Sequence, residues 1–165
     1  MKNIKDIDFK KINFILLDLD GVLTDGSLLY TSGGDIIKVF NVYDGHGIVR
    51  GHENGMRFAI ISGRGDAVNK IRAARLKVEE LYENCDDKVA AYEEIKSKYN
   101  LTDENFCYIG DDVFDLPLLR KVAFSCAPAT AMPEVKDEVD YVSPKGGGNG
   151  AVRDIIDLIL RKNGK

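Results

Sequence analysis

The chain reads as an α/β protein built on a doubly wound parallel sheet, and three observations predict it. Apolar runs of strand length alternate with segments of helical period. The runs are apolar throughout rather than at every second residue, as strands covered on both faces require. Each run then leaves through a polar or glycine-containing turn, so the sheet has one chemically loaded end. Strands separated by helices imply right-handed crossovers. At 165 residues, with 44% hydrophobic and 30% charged residues, the chain is expected to form a single domain over 1–165. No linker or internal repeat divides it.

The first strand is predicted over Asn13 to Leu19, closed by Asp20-Gly21. Residues 27–42 have a different texture: two β-rich runs flank Ser32-Gly33-Gly34-Asp35, which predicts a β-hairpin projecting from the main alternation. A helix is expected from Asp44-Gly45 to Asn54, ended by Gly55, and then a strand from Arg57 to Ile61. Asp66 to Leu76 reads as helix, Glu80 to Tyr82 as strand, and Asp86 to Tyr99 as a helix with Val89, Tyr92, Ile95 and Tyr99 on one face. After a turn at Thr102-Asp103-Glu104 come strand Asn105 to Ile109, helix Phe114 to Lys121, strand Ala123 to Cys126 and a short helix from Met132 to Glu138. A last helix, Ala151 to about Arg161, follows the glycine cluster 146–150, for which a flexible turn near the sheet's polar end is expected.

Composition excludes several classes of function. Lys and Arg total 23 against 27 Asp and Glu, a net charge of −4, so no positive field draws the chain to nucleic acid or an anionic membrane. No apolar stretch approaches the ~18 residues that span a bilayer, and the first residues interleave charges with no signal-type apolar run. A cytoplasmic protein is expected. Three widely spaced cysteines, with no CxxC pair, argue against a disulfide framework or a thiolate zinc site.

The polar exits carry the chemistry. The first strand leaves through Asp18-Leu19-Asp20-Gly21, the second through Ser62-Gly63-Arg64, and a later one through Gly110-Asp111-Asp112. Carboxylates at i and i+2 project to one side of an extended chain, and facing Asp111 and Asp112 they repel unless a divalent cation sits among them. All-oxygen ligands of this kind suit Mg²⁺, which pairs well with phosphate. Lys88 at a helix start and Ser62 at a strand end supply a charge and a hydroxyl for phosphoryl oxygens. An Asp-Gly turn or a helix-opening lysine is ordinary by itself; three such exits and that lysine gathered at one sheet describe phosphoryl transfer. Arg64, directly after Ser62, is placed to pair with a substrate carboxylate or to be solvated. His46 and His52 read as surface or supporting residues, and the 146–150 glycines lack a GxxxxGK[ST] phosphate loop.

Asp18-Leu19-Asp20-Gly21-Val22-Leu23-Thr24, Ser62, Lys88 and Gly110-Asp111-Asp112 with Asp115 resemble the four motifs of the haloacid dehalogenase superfamily, in the same order. Phe40-Asn41-Val42, Asp44-Gly45-His46-Gly47-Ile48, Ser62-Gly63-Arg64 and Gly147-Gly148-Asn149-Gly150-Ala151-Val152-Arg153 extend the resemblance to the capless branch typified by 3-deoxy-D-manno-octulosonate (KDO) 8-phosphate phosphatases. The resemblance implies a Rossmann-like core with no cap domain. It makes Asp18 the nucleophile and Asp20 the acid and base. It implies Mg²⁺ held by Asp18, the Asp20 carbonyl and Asp111, with Asp112 acting through water. Ser62 and Lys88 would hold the phosphoryl group, Asp115 would orient Lys88, and Gly63 and Arg64 would line the substrate. The implied substrate is a small phosphorylated sugar acid, and the implied assembly is a homotetramer joined through the hairpins.

Two other readings compete. A phosphorelay receiver uses similar groups but places its acidic pair before the phosphorylated Asp, the reverse of the order here. Related domains fused to sialic acid cytidylyltransferases act in assembly, without catalysis; intact motifs argue against that reading. A nine-carbon sialic-acid-type 9-phosphate is the alternative substrate.

Overall fold

The computed structural model describes Ile4 and residues 6–165. Among the described residues, eight strands and six α-helices run in the order β1 (Phe14–Leu17), β2 (Leu29–Tyr30), β3 (Ile36–Ile37), α1 (Val42–Glu53), β4 (Arg57–Ile61), α2 (Ala67–Leu76), β5 (Glu80–Tyr82), α3 (Lys88–Lys98), β6 (Phe106–Ile109), α4 (Leu116–Leu119), β7 (Phe124–Ala127), α5 (Pro133–Glu138), β8 (Tyr141–Val142) and α6 (Ala151–Lys162). Six strands form one parallel sheet in the order β5-β4-β1-β6-β7-β8. The chain winds outward from β1 through β4 and β5, then returns and winds the other way from β6. The carboxyl ends of β1 and β6 therefore flank the crevice where doubly wound sheets bind ligands.

Alternation along the strands explains why they read as unbroken apolar runs. Ile15, Leu17, Phe58, Ile60, Cys107 and Ile109 enter one core with α1, α2 and α6, while Phe14, Leu16, Ala59, Ile61, Phe106 and Tyr108 enter the other with α3, α4 and α5. Both faces are dry. The amphipathic α6 closes the first core with Val152, Ile155, Ile156, Ile159 and Leu160, all essentially inaccessible.

The departures from the sequence reading are local. The hairpin ladder covers only β2 and β3, with a turn in which Thr31 bonds Asp35 through backbone and hydroxyl. It does not extend to residue 42: the Asn41 side chain accepts from Tyr43 N–H and starts α1 at Val42, ahead of Asp44-Gly45. The predicted helix 114–121 is a 3₁₀ turn, Val113–Asp115, followed by the single turn of α4. Strand β8 was not predicted; two residues carry no period. The 146–150 loop is packed rather than loose. A Cβ on Gly147 would lie 1.7 Å from the Gly21 carbonyl oxygen, and Gly148 N–H donates to the Val22 carbonyl. Its glycines exist because this loop buttresses the turn after β1.

Candidate active site

Backbone hydrogen bonds turn the chain sharply after β1. The Leu19 carbonyl accepts from the N–H groups of Val22, Leu23 and Thr24, and Thr24 Oγ1 accepts from Gly21 and Gly26. Gly21 takes φ +92°, and any Cβ there would meet Asp111 Oδ2 at 2.0 Å, so only glycine lets the β1 and β6 exits approach this closely. Asp18 and Asp111 are thereby brought together. Gly110 serves in the same way, since Asp115 folds back against its Cα.

Lys88, first residue of α3, is placed by Asp87, whose carboxylate accepts from Val89 and Ala90 N–H. Its Nζ lies 3.1 Å from Asp18 Oδ1 and 2.6 Å from Asp115 Oδ1, and it donates to the Tyr108 hydroxyl at 3.2 Å. Asp115 is fully buried and wholly committed: Oδ1 receives Lys88 and Tyr108, and Oδ2 receives the N–H groups of Asp111 and Asp112. Asp112 is half-buried and caps the 3₁₀ turn at Phe114. Ser62 is buried, its Oγ accepting from Arg64 N–H. Gly63 and Arg64 are exposed on the rim.

A cavity of about 540 Å³ is lined by Asp18, Asp20, Ser62, Gly63, Arg64, Lys88, Asp112 and Asp115, with Phe114 81% exposed beside it. A second cavity, about 510 Å³, adjoins it; Asp20 and Arg64 line both, and Asp111 lines the second. The structure thus gathers every residue singled out from the sequence around one crevice. Arg72, on α2, is engaged by the Phe40 ring and the Asn41 carbonyl.

Electrostatics mark the same place. Burial, against the pull of Lys88, pushes the Asp18 carboxyl up to about 6. Burial, with Asp18 and Asp115 as like-charged neighbours, pushes Asp111 up to about 8. Burial alone would lower the Lys88 ammonium, but Asp18 and Asp115 outweigh it and hold its pKa above the ordinary value. Carboxylate oxygens of Asp18, Asp111 and Asp115 lie within 4.8 Å of one another. Asp115 has no capacity left as a ligand, whereas Asp111 Oδ1 is buried without a hydrogen-bond partner. Two hard oxygen donors, one of them orphaned, fit a small divalent cation such as Mg²⁺.

Three contributors were not foreseen. Tyr108 braces Asp115 from mid-strand, where a buried phenol signals a required partner. Lys38 and Asn69 hold Asp20 in a buried polar cluster. The first has a weak sequence signal, the other two none.

Residues 66–155 match the family model described as haloacid dehalogenase-like hydrolase. The 3-deoxy-D-manno-octulosonate 8-phosphate phosphatase KdsC of Escherichia coli K12 is 38% identical over 156 residues, covering 94% of this chain and 83% of that protein. This chain belongs to the haloacid dehalogenase-like hydrolases. Among solved members, the KDO 8-phosphate phosphatase of Yersinia pestis superposes with a TM-score of 0.93 at 37% identity, covering 95% of this chain and 85% of that one. The Moraxella catarrhalis phosphatase, crystallised with magnesium, phosphate and KDO, superposes at 0.91 and 35% identity, covering 93% and 88%. As a haloacid dehalogenase-like hydrolase, the chain owes its polar crevice to the β1 and β6 exits. Among its described residues no helix is long and apolar enough to cross a membrane.

Proposed function

We propose that this protein is a Mg²⁺-dependent phosphatase acting as one domain over 1–165, and that it hydrolyses KDO 8-phosphate to KDO and inorganic phosphate. The observation that carries the reading is Lys88 set between Asp18 and Asp115, beside the unpaired Asp111 oxygen. That arrangement offers a nucleophile, a charge for the transferring group and a place for a cation, and relatives spanning nearly the whole chain are phosphatases of this sugar acid.

Asp18 and Asp111, with the Asp20 carbonyl, would hold Mg²⁺, which when bound screens one anion approaching another and favours charge on the phosphoryl oxygens. Asp18 attacks phosphorus in line; the P–O bond to the sugar breaks, and Asp20 gives its proton to the leaving oxygen. Asp20 then takes a proton from water, which attacks the aspartyl phosphate, releases inorganic phosphate and regenerates Asp18. Lys88 neutralises charge on the transferring group, and Ser62, whose oxygen already accepts from Arg64 N–H, has its hydroxyl proton to donate there. Asp115 keeps Lys88 aimed, Asp112 would support the ion from beyond its direct ligands, and Gly63 leaves the rim open. Arg64 meets the sugar carboxylate. The enzyme works in the cytoplasm as a homotetramer.

The test is a phosphate-release screen with Mg²⁺ or EDTA over KDO 8-phosphate, nine-carbon 9-phosphates, hexose phosphates and 4-nitrophenyl phosphate. The eight-carbon substrate is expected to lead, and only with Mg²⁺; turnover in EDTA, or no release from any substrate, overturns the reading. Arg64→Ala is expected to lower kcat/KM for KDO 8-phosphate by about one to two orders of magnitude, the worth of a charge-assisted contact, and to leave the aryl phosphate nearly unchanged.

A further inference from the structure

Lysine is seldom fully buried, and when it is, its three N–H donors must all be satisfied. The Lys38 side chain is wholly inaccessible at the foot of the hairpin, one residue beyond β3. Its Nζ lies 2.9 Å from Asp20 Oδ1 and hydrogen-bonds Asp20 Oδ2 at 3.0 Å. It also contacts Asp66 Oδ2 at 2.9 Å and donates to Asn69 Oδ1 at 2.9 Å. Burial alone would lower the Lys38 pKa, yet Asp20 and Asp66 hold it raised, so the ammonium stays charged.

Such a cluster is a poor way to stabilise a fold. Apolar residues of similar volume usually do as well or better, because desolvating three charges consumes most of what their attraction returns. The arrangement has a direction instead. Lys38 straddles the Asp20 carboxylate, its Nζ within 3.0 Å of both oxygens, and Asp20 lines both cavities where they adjoin. Asn69, itself fully buried, passes the constraint on, since its Nδ2 donates to the carbonyl of Arg64. Asp66 is the N-cap of α2 and Asn69 lies on its first turn, the two joined by the Asn69 N–H bond to Asp66 Oδ1.

We propose that Lys38 is a positioning residue for cleavage of the phosphate ester. It fixes the orientation of the Asp20 carboxyl for proton exchange with the leaving group and, through Asn69, ties that carboxyl to the Arg64 loop. The inference rests on Asp20 being the acid and base of the proposed function.

Dependence on the leaving group tests it, because a sugar alkoxide needs a proton to depart and 4-nitrophenolate does not. The parameter is kcat/KM, which covers the steps through ester cleavage and is blind to later hydrolysis of the aspartyl phosphate. Lys38→Met is expected to lose about 10- to 100-fold on KDO 8-phosphate, part of what a general acid supplies, and under about threefold on 4-nitrophenyl phosphate. Asp20→Asn, run beside it, is expected to show the same selectivity more strongly, and the double variant no further loss on the sugar substrate. Equal losses on both substrates in Lys38→Met, with selectivity retained in Asp20→Asn, overturn the inference and leave the proposed function standing. Absence of selectivity in Asp20→Asn overturns the role of Asp20 and this inference with it. If Lys38→Met does not fold, Lys38→Gln, which keeps an amide donor in the same space, is read by the same criteria; failure of both to fold makes Lys38 purely structural and also overturns the inference.

Discussion

At the scale of residues, the decisive juxtaposition is Asp18 against Asp111, two carboxyls buried at one crevice with a single ammonium between Asp18 and Asp115. Their native pKa values, about 6 and about 8, lie above the ordinary 3.8. The metal-free native state therefore keeps protons that the unfolded chain has released, and its stability falls as pH rises from about 4 to about 8. Magnesium has to displace those same protons, so its affinity is expected to climb with pH over that range and level off above it. Titration calorimetry in buffers of different ionisation enthalpy checks this; a pH-independent affinity would place the ion elsewhere. Asp18→Asn is expected to abolish turnover because an amide is a poor nucleophile and a poorer ligand. Like charge at Asp18 helps to raise Asp111, so the same substitution is expected to leave the melting temperature in EDTA unchanged or higher. Wild-type activity in that variant would remove Asp18 from the mechanism.

At the scale of elements, α6 begins without a capping side chain of its own, at Gly150 with φ +95°. The cap comes from α1 instead: the fully buried Asp44 accepts from Gly150 N–H through Oδ2 and from Arg153 N–H through Oδ1. One carboxylate thus locks the two helices together, and it anchors the end of the 146–150 loop that presses on the turn after β1. Asp44→Ala leaves buried donors unpaired, at a cost of about 1–3 kcal/mol. A drop of several degrees in thermal melting is expected by circular dichroism, with a smaller drop for Asp44→Asn, which retains one acceptor. No difference between either variant and wild type would mean that the loop relaxes to find other partners.

At the scale of the molecule, the hairpin and the start of α1 present a surface that one copy of the chain cannot cover. Leu29, Tyr30, Ile37, Val39, Val42 and Tyr43 are each at least half exposed. Ile36 and Phe40 of the same segment are partly buried, Phe40 beneath the Arg72 guanidinium. An isolated two-stranded hairpin is marginal in water, and contiguous apolar surface of this kind ordinarily meets a partner. Light scattering is expected to give four copies, and Val39→Asp to shift the mass downward. A monomer across a wide concentration range would end the tetramer proposal. Because Lys38 stands at the base of this hairpin, loss of assembly is also expected to loosen Asp20.

The chain's own pattern determined the sheet, its parallel character and its reactive end. Apolar runs of four residues such as Phe14–Leu17 and Phe58 to Ile61 are legible because burial on both faces is written into consecutive positions. Asp18, Ser62, Lys88 and Asp111 stood out because polar groups at strand and helix ends need no tertiary knowledge to be noticed. What only the tertiary structure decided are partnerships between distant positions. Lys38 in the run Ile36-Ile37-Lys38-Val39-Phe40 looks like any hairpin lysine until the fold brings its ammonium to Asp20 and Asn69. Asp44 reads as a turn residue until α6 is laid across it, and Gly147 as a loop residue until the carbonyl of Gly21 lies where its Cβ would be. Periodicity records which face of an element is buried. It carries no term for what a residue meets across the core, because that is set by how the elements pack.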